Sequence, residues 1–213
     1  MKHFWKFAVA ALSAFAVMGC AGSSDDHDAR IRFVHASPDA PNVDIFVSGE
    51  IFRREGRANV QINATGTSTT VIDADLDFLE GRFYTILAAD RLASIAPIVV
   101  NDPDEGPGSG NTRVRLVHAS PSAGTVDIYV TAPDAPLPGT PTLASVPFKA
   151  VSDALTVPSG QYRVRITPAG NPGVIAIDTG ALTFPSNSAL VAVALDAAGG
   201  GEDALTARVY GRE

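Results

Sequence analysis

One cysteine in 213 residues leaves this chain without a possible internal disulfide. An oxidising compartment could therefore add nothing covalent to its stability, and each folded part must rest on a hydrophobic core. Basic residues are also scarce: 16 Lys and Arg stand against 23 Asp and Glu, for a net charge of −7. That balance argues against nucleic acid and against anionic lipid as partners. No segment carries the 3.6-residue apolar spacing of an amphipathic helix. The apolar run Phe7–Val17 is too short to span a bilayer as a mature helix, which needs about 20 residues.

What that run does fit is an export signal. Lys2 and Lys6 supply a positive start, and the run ends in Val17-Met18-Gly19-Cys20. This ending resembles the bacterial lipobox: an apolar residue, a variable one, a small one, then Cys. The resemblance implies a diacylglyceryl thioether on Cys20, removal of residues 1–19, and palmitate-type acylation of the new amino terminus. Residues 20–28 then form an acylated tether, polar and without apolar periodicity. Two or three acyl chains hold a protein on a membrane far better than one. Ala21, where a retention signal would place Asp, implies the outer membrane; the leaflet stays open. Loss of Lys2 and Lys6 leaves 14 basic against 23 acidic residues, a charge near −9.

Beyond the tether the chain repeats itself. Ile31-Arg-Phe-Val-His35-Ala-Ser37-Pro38 returns as Val114-Arg-Leu-Val-His118-Ala-Ser120-Pro121, and Val43-Asp44-Ile-Phe-Val47 as Val126-Asp127-Ile-Tyr-Val130. The offset is constant at 83 (118 − 35). A fixed offset of that length indicates a duplicated domain rather than a solenoid repeat. Short runs of alternating character recur at 126–130, 162–166, 174–177, 189–195 and 204–210, separated by Pro, Gly, Asp and Asn. They read as strands and turns. The expected organisation is all-β: a sandwich over residues 29–100, a linker over 101–111 rich in Pro and Gly, and a second sandwich over 112–213, with roughly seven strands in each. Near the end of each copy, Phe78–Asp90 matches Phe184–Asp196 at an offset of 106. The second copy therefore has 23 more residues (106 − 83), including the Pro-rich Pro133–Pro141. Domain two is expected to be the complete fold, and domain one a version short of a hairpin or large loop.

The opening R-[IV]-R-x-V-H-A-S-P followed by V-D-[IV]-[FY]-V resembles the start of DUF4397, a domain of unknown function in exported bacterial proteins, often in tandem. Pro158-Ser-Gly-Gln-Tyr162 matches that family's P-x-G-x-Y strand entry, a pattern shared with transthyretin-like and immunoglobulin-like sandwiches. In domain one the nearest counterpart is Leu79-Glu-Gly81-Arg-Phe83-Tyr84. The resemblance implies tandem immunoglobulin-like or transthyretin-like sandwiches and brings no assigned chemistry.

His35, Ser37 and Asp44 recur as His118, Ser120 and Asp127, and together they invite comparison with a hydrolytic triad. Their spacing favours structure. His35 shares parity with Ile31 and Phe33, so it faces the core at a strand end. Ser37 precedes a Pro in no Gly-x-Ser-x-Gly elbow. His and Asp are expected to lock the turn between the first two strands, near backbone groups that Pro38 and Pro41 leave unpaired. Asp73-Ala-Asp75-Leu-Asp77 with Glu80 resembles part of a calcium loop but lacks its Gly and its closing Glu. Asp102, Asp104 and Glu105 form a second oxygen-rich group. Arg53, Arg54 and Arg57 form a small basic spot, His27 stands alone on the tether, and Asn63-Ala-Thr65 is an incidental sequon.

These observations point to a non-enzymatic envelope lipoprotein without metal or cofactor. It would bind or scaffold surface polysaccharide, peptidoglycan or another envelope protein, with the loop Pro133–Pro141 as a contact surface. Two modules could engage a repeating ligand with avidity. The alternatives are an exported hydrolase, a calcium-dependent adhesin, or a spacer with no ligand.

Overall fold

A computed structural model describes residues 5–9, 29–49, 55–196 and 205–211. The lipobox, Cys20, the tether with His27, and Arg53 and Arg54 lie outside those residues. Two compact units emerge, Met1–Glu105 and Gly106–Glu213. Among the described residues no helix is long and apolar enough to cross a membrane.

Unit 1 contains β1 (Trp5–Val9), β2 (Arg30–His35), β3 (Val43–Gly49), β4 (Glu55–Ala64), β5 (Thr70–Leu79), β6 (Arg82–Ala89) and β7 (Ala96–Pro103), with one 3-10 turn at Leu92–Ser94. They form two sheets, β1-β3-β4-β5 and β2-β6-β7. Unit 2 contains β8 (Asn111–His118), β9 (Val126–Thr131), β10 (Leu143–Val146), β11 (Leu155–Pro158), β12 (Gly160–Pro168), β13 (Ile177–Phe184), β14 (Ser188–Asp196) and β15 (Leu205–Gly211). Its sheets are β10-β9-β12-β13 and β11-β8-β14-β15. The protein is all-β, and each unit is a sandwich whose core draws on both sheets.

Period-two alternation explains both cores. In unit 1, Val43 and Ile45 from β3, Val60 and Ile62 from β4, and Phe78 from β5 meet Tyr84 and Ile86 from β6. In unit 2, Val126 and Ile128, Val164 and Ile166, and Phe184 meet Val114, Leu116 and Leu190. Each fully buried side chain of this size contributes about 1.5–3 kcal/mol. No disulfide is available, so these clusters carry the stability.

Both sequence offsets appear as strand pairings. Arg30 pairs with Phe83 in the parallel β2–β6 ladder, and Arg113 pairs with Ala189 in the parallel β8–β14 ladder. These are the same positions shifted by 83 and by 106. The tight turns Gly81 (φ 67°) and Asn187 (φ 54°) also correspond, and both need the left-handed backbone that Gly and Asn tolerate.

The extra residues of unit 2 have a definite place. Val43 pairs with Ala64 and Val126 with Pro168, so the offset grows from 83 to 104 (168 − 64) between these two strands. The segment inserted there holds β10 and β11. β10 pairs with the outer edge of β9, and β11 with the outer edge of β8. One insertion thus adds a strand to each sheet. In unit 1 the β3 edge is taken by β1, with Trp5 opposite Val47 and Val9 opposite Val43. Among the described residues no strand pairs with the outer edge of β2.

Three expectations need correction. The connection between units is shorter than 101–111, because Asn101, Asp102 and Pro103 pair with Tyr84, Phe83 and Arg82, and β8 starts at Asn111. The run 174–177 is not a strand: Val174 is 50% exposed in a turn, and β13 begins only at Ile177. Ala176 and Ile177 reach Ile166 of β12, whereas Val174 and Ile175 stay exposed ahead of it. Finally, the counterpart of Gly160-Gln-Tyr162 is Gly56-Arg-Ala58 on β4, not Leu79–Tyr84, because β4 pairs with β3 as β12 pairs with β9.

That last correction exposes a swap. Tyr162 stacks on Phe184 at 4.7 Å. In unit 1 the equivalent of Tyr162 is Ala58, and Tyr84 from β6 meets Phe78 edge-on at 4.9 Å. The aromatic pair survives with its second ring supplied by a different strand. The Tyr84 hydroxyl, buried with it, accepts the Leu79 N–H at 2.8 Å.

Candidate functional site

His118 ends β8 on the core side and is fully buried. Its Nε2 donates to the Gly124 carbonyl at 2.6 Å, and its Nδ1 accepts the Ser120 N–H at 3.4 Å. Nδ1 takes a backbone donor, so the proton belongs on Nε2. Burial pushes the imidazole pKa below its ordinary value, against the opposing pull of the Gly124 carbonyl and the Asp196 charge. The ring is therefore neutral, with both nitrogens engaged. Phe148 meets it edge-on at 6.1 Å.

Ser120 does not face this imidazole with its hydroxyl. Its Oγ makes a short hydrogen bond to Asp196, which also accepts from Ser122 Oγ at 2.8 Å. Asp127 is elsewhere again, accepting the Ser145 N–H at 2.7 Å and the Gly170 N–H at 2.9 Å. The three residue types therefore assemble no nucleophile–base–orienter relay, which requires the base to hold the nucleophile's hydroxyl.

In unit 1 the pattern is looser. His35 bonds the Pro41 carbonyl at 3.0 Å, and Pro41 is the equivalent of Gly124. Ser37 Oγ donates to Asp39 at 3.2 Å and accepts the Ala40 N–H at 3.3 Å. Asp39 also accepts the Leu92 N–H at 2.8 Å. Asp44 accepts from Thr65 Oγ1 at 3.4 Å and from the Gly66 N–H at 3.5 Å. The His in each unit spans the turn after the first strand. The Asp does not: Asp44 and Asp127 instead hold the turn that follows β4 or β12. The bond partners lie 18 to 43 positions on, beyond what local spacing can show.

The outer face of each larger sheet is a second candidate. In unit 2 it carries Tyr129, Arg163, Arg165 and Asp178. The Pro-rich loop packs on it: Arg165, only 5% exposed, donates to the carbonyls of Ala135 (2.9 Å) and Pro136 (3.2 Å) and to Thr131 Oγ1 (2.8 Å). Arg163 reaches the Pro133 carbonyl at 3.3 Å and makes a short bidentate pair with Asp178. That guanidinium holds the Asp178 pKa down at about 2. Tyr129 is buried beneath. The loop expected to meet a ligand is thus tied to its own sheet, because carbonyls of the loop accept from the buried Arg165 and the half-buried Arg163.

The same face in unit 1 lacks that loop's residues. Phe46 replaces Tyr129, Asn59 replaces Arg163, and Gln61 replaces Arg165. Asn59 donates to Asp73 (2.6 Å) and Asp75 (3.1 Å), Gln61 to Asp73 (3.1 Å), and Arg57 to Asp75 (3.4 Å). Asp73, Asp75 and Asp77 are exposed. The result is a flat array of amides, carboxylates and one guanidinium beside a half-buried ring.

Among the described residues no group of three His, Cys, Asp or Glu side chains converges to hold a metal ion. Asp102 is buried within β7, whereas Asp104 pairs with Arg30 at 3.7 Å. Between the sheets of unit 2, a void bordered by Leu116, Ile128, Val164 and Leu182 measures about 10 Å³. That holds at most one water. An open groove beside β13 and β15 is lined by Ile177, Leu182 and Val209, and its one carboxylate, Asp178, already pairs with Arg163.

No curated protein matches the chain. One family model does, over residues 46–129. Phe46 and Tyr129 are equivalent positions, 83 apart, so the matched span is one repeat period that runs from β3 of unit 1 into β9 of unit 2. It contains the second opening, Val114–Pro121, but not the first. That model is DUF4397, a domain of unknown function, matched over residues 46–129.

Proposed function

We infer that the chain is an outer-membrane lipoprotein, anchored through Cys20, whose two sandwiches are copies of one domain and act in binding or scaffolding rather than catalysis. The contact surface is the outer face of the larger sheet of unit 1, and its ligand is an envelope glycan. The observation that carries this reading is the polar array of Arg57, Asn59, Gln61, Asp73 and Asp75 beside Phe46. Fixed amides and carboxylates pair with sugar hydroxyls, and a ring accepts the apolar face of a pyranose. The arrangement of His118, Ser120 and Asp127 supports a structural part for them.

Two experiments test this. Detergent partitioning of wild type and Cys20→Ser should move only the variant to the aqueous phase; a wild-type protein that is aqueous defeats the anchor. A glycan array probed with the acylated protein in detergent should give signals that Asn59→Ala and Gln61→Ala abolish. Binding that survives both substitutions would place the contact elsewhere.

A further inference from the structure

The outer edge of β3 is built to receive a strand. Thr65 donates to the Asn42 carbonyl at 2.8 Å, so Asn42, Asp44, Phe46 and Ser48 direct their backbone groups at β4. By antiparallel alternation Val43, Ile45 and Val47 direct theirs the other way. Unit 2 shows the same parity and closes it. Ala169 donates to the Thr125 carbonyl at 3.0 Å, and the outward N–H of Val130 is capped by Thr142 Oγ1 at 2.9 Å as β10 comes alongside. In unit 1 the insertion that supplies β10 is missing.

Edge strands are commonly guarded by Lys, Pro or bulges. β3, Val-Asp-Ile-Phe-Val-Ser-Gly, has no Lys, Arg or Pro. Its one charge, Asp44, is buried and turned to Thr65 and Gly66. The pairing with β4 is regular from Val43↔Ala64 to Gly49↔Ala58. What sits on this edge is β1, in register from Trp5↔Val47 to Val9↔Val43. That strand lies within the residues removed if Cys20 is the mature amino terminus.

We propose that processing uncovers the β3 edge, which then accepts an extended, largely apolar strand of a partner protein, antiparallel and in the register of Trp5–Val9. The proposal rests on the lipoprotein reading above. Main-chain hydrogen bonds supply the affinity, and apolar side chains at alternate positions supply the selection. The occupant now on the edge, Trp-Lys-Phe-Ala-Val, defines that chemistry.

The test uses acylated protein purified from envelopes in detergent. Intact mass first establishes whether the chain begins at Cys20. A labelled peptide of residues 4–10 with a solubilising lysine tail is then titrated against it, beside two N-methylated forms. Methyl groups at Trp5, Phe7 and Val9 fall on amides that face β3, and those at Lys6 and Ala8 on amides that face away. The expected result is one peptide per chain, since β10 covers the equivalent edge of unit 2. Methylation at Lys6 and Ala8 should leave binding unchanged, and methylation at Trp5, Phe7 and Val9 should weaken it by at least about tenfold. Val47→Pro, which removes one outward donor, should weaken the unmodified peptide as well. Equal binding of all three peptides would mean unspecific adhesion and overturn the proposal. A cleaved chain that binds none overturns it and leaves the anchor standing, whereas an uncleaved chain overturns both. A dimer of the processed protein that the peptide dissolves would make the occupant a second copy and overturn the partner-strand assignment.

Discussion

Replacing His118 by Ala probes the turn after β8 most directly. The substitution deletes the 2.6 Å bond to the Gly124 carbonyl, the acceptor for the Ser120 N–H, and the edge contact with Phe148. Gly124 is exposed, so water can replace the lost donor at its carbonyl. Ser120 is fully buried, and its N–H cannot be hydrated in place. An orphaned buried donor costs about 1–3 kcal/mol. The missing ring adds about 1–2 kcal/mol of lost packing. The expected destabilisation is about 2–5 kcal/mol, confined to unit 2. The assay is urea unfolding of the whole chain read by hydrogen exchange in β8 and β14, which separates the units. Fluorescence is a poor choice, since the only tryptophan is Trp5. Acid sharpens the test. Burial lowers the His118 pKa in the folded state, so the unfolded chain binds more protons between that depressed value and 6.5. Stability of unit 2 should fall as pH drops through this window, and His118→Ala should remove that part of the slope. A variant as stable as wild type at neutral pH, with the slope unchanged, would refute the turn-lock argument. If such a variant lost binding or hydrolysis instead, the site reading would return.

Other outcomes follow from the same geometry. His35→Ala should cost only about 0.5–1.5 kcal/mol in unit 1, because that ring is partly exposed and makes a single hydrogen bond to the Pro41 carbonyl; a loss equal to that of His118→Ala would contradict it. Arg165→Met should free the Pro133–Pro141 loop, seen as faster limited proteolysis there, and an unchanged cleavage rate would show that the loop is held by other means. Arg163→Ala should let the Asp178 pKa rise from about 2 toward 3.8, followed by carboxyl NMR titration. The stabilisation from this pair is present above pH 3.8 and lost as pH falls toward 2. Ala58→Tyr with Tyr84→Leu rebuilds in unit 1 the ring arrangement of unit 2, and the double variant should exceed the sum of the singles by at least about 1 kcal/mol in a double-mutant cycle.

The repeat offsets carried much of the architecture, because paired strands preserve register: a shift of one residue would turn His35 and Ile31 out of the core. The all-β class followed from alternation in β8, β12 and β14, whose inward residues are mostly apolar. What stayed hidden depends on distance along the chain. β10 and β11 are four residues each, carry Ser or Pro, and gain strand geometry only from the edges they join. Arg165 reads as a surface residue until the loop carbonyls 29 and 30 positions earlier are brought onto it. Tyr84 and Tyr162 fill one role from two strands, so matching the local pattern of one against the other led to the wrong strand. Asp44 and Asp127 share a motif with the histidines and serve another turn.

The parallel ladders impose an order in time. β8 enters first in unit 2, yet its partner begins at Ser188, 76 residues after Thr112; in unit 1 the same pairing joins Arg30 to Phe83, 53 residues apart. The difference in closure entropy is only about 0.3 kcal/mol. More important is that β8 cannot take its central place between β11 and β14, nor β2 its edge place beside β6, until the penultimate strand has arrived, and parallel pairing of this range is slow. Among the described residues all pairings of unit 1 lie within its own span, so a chain that emerges from its amino terminus can finish folding unit 1 before unit 2 is complete. Unit 2 waits nearly to its end with β8 paired on its β11 side alone. Chains truncated before Ser188 should show unit 1 protected from hydrogen exchange and the β8 amides that face β14 unprotected. Early protection of those amides would break this order. A chain that folds in this sequence exposes its tail unit longest, which makes the second copy, the one with the more complete fold, the more dependent on whatever keeps unpaired strands apart while it waits.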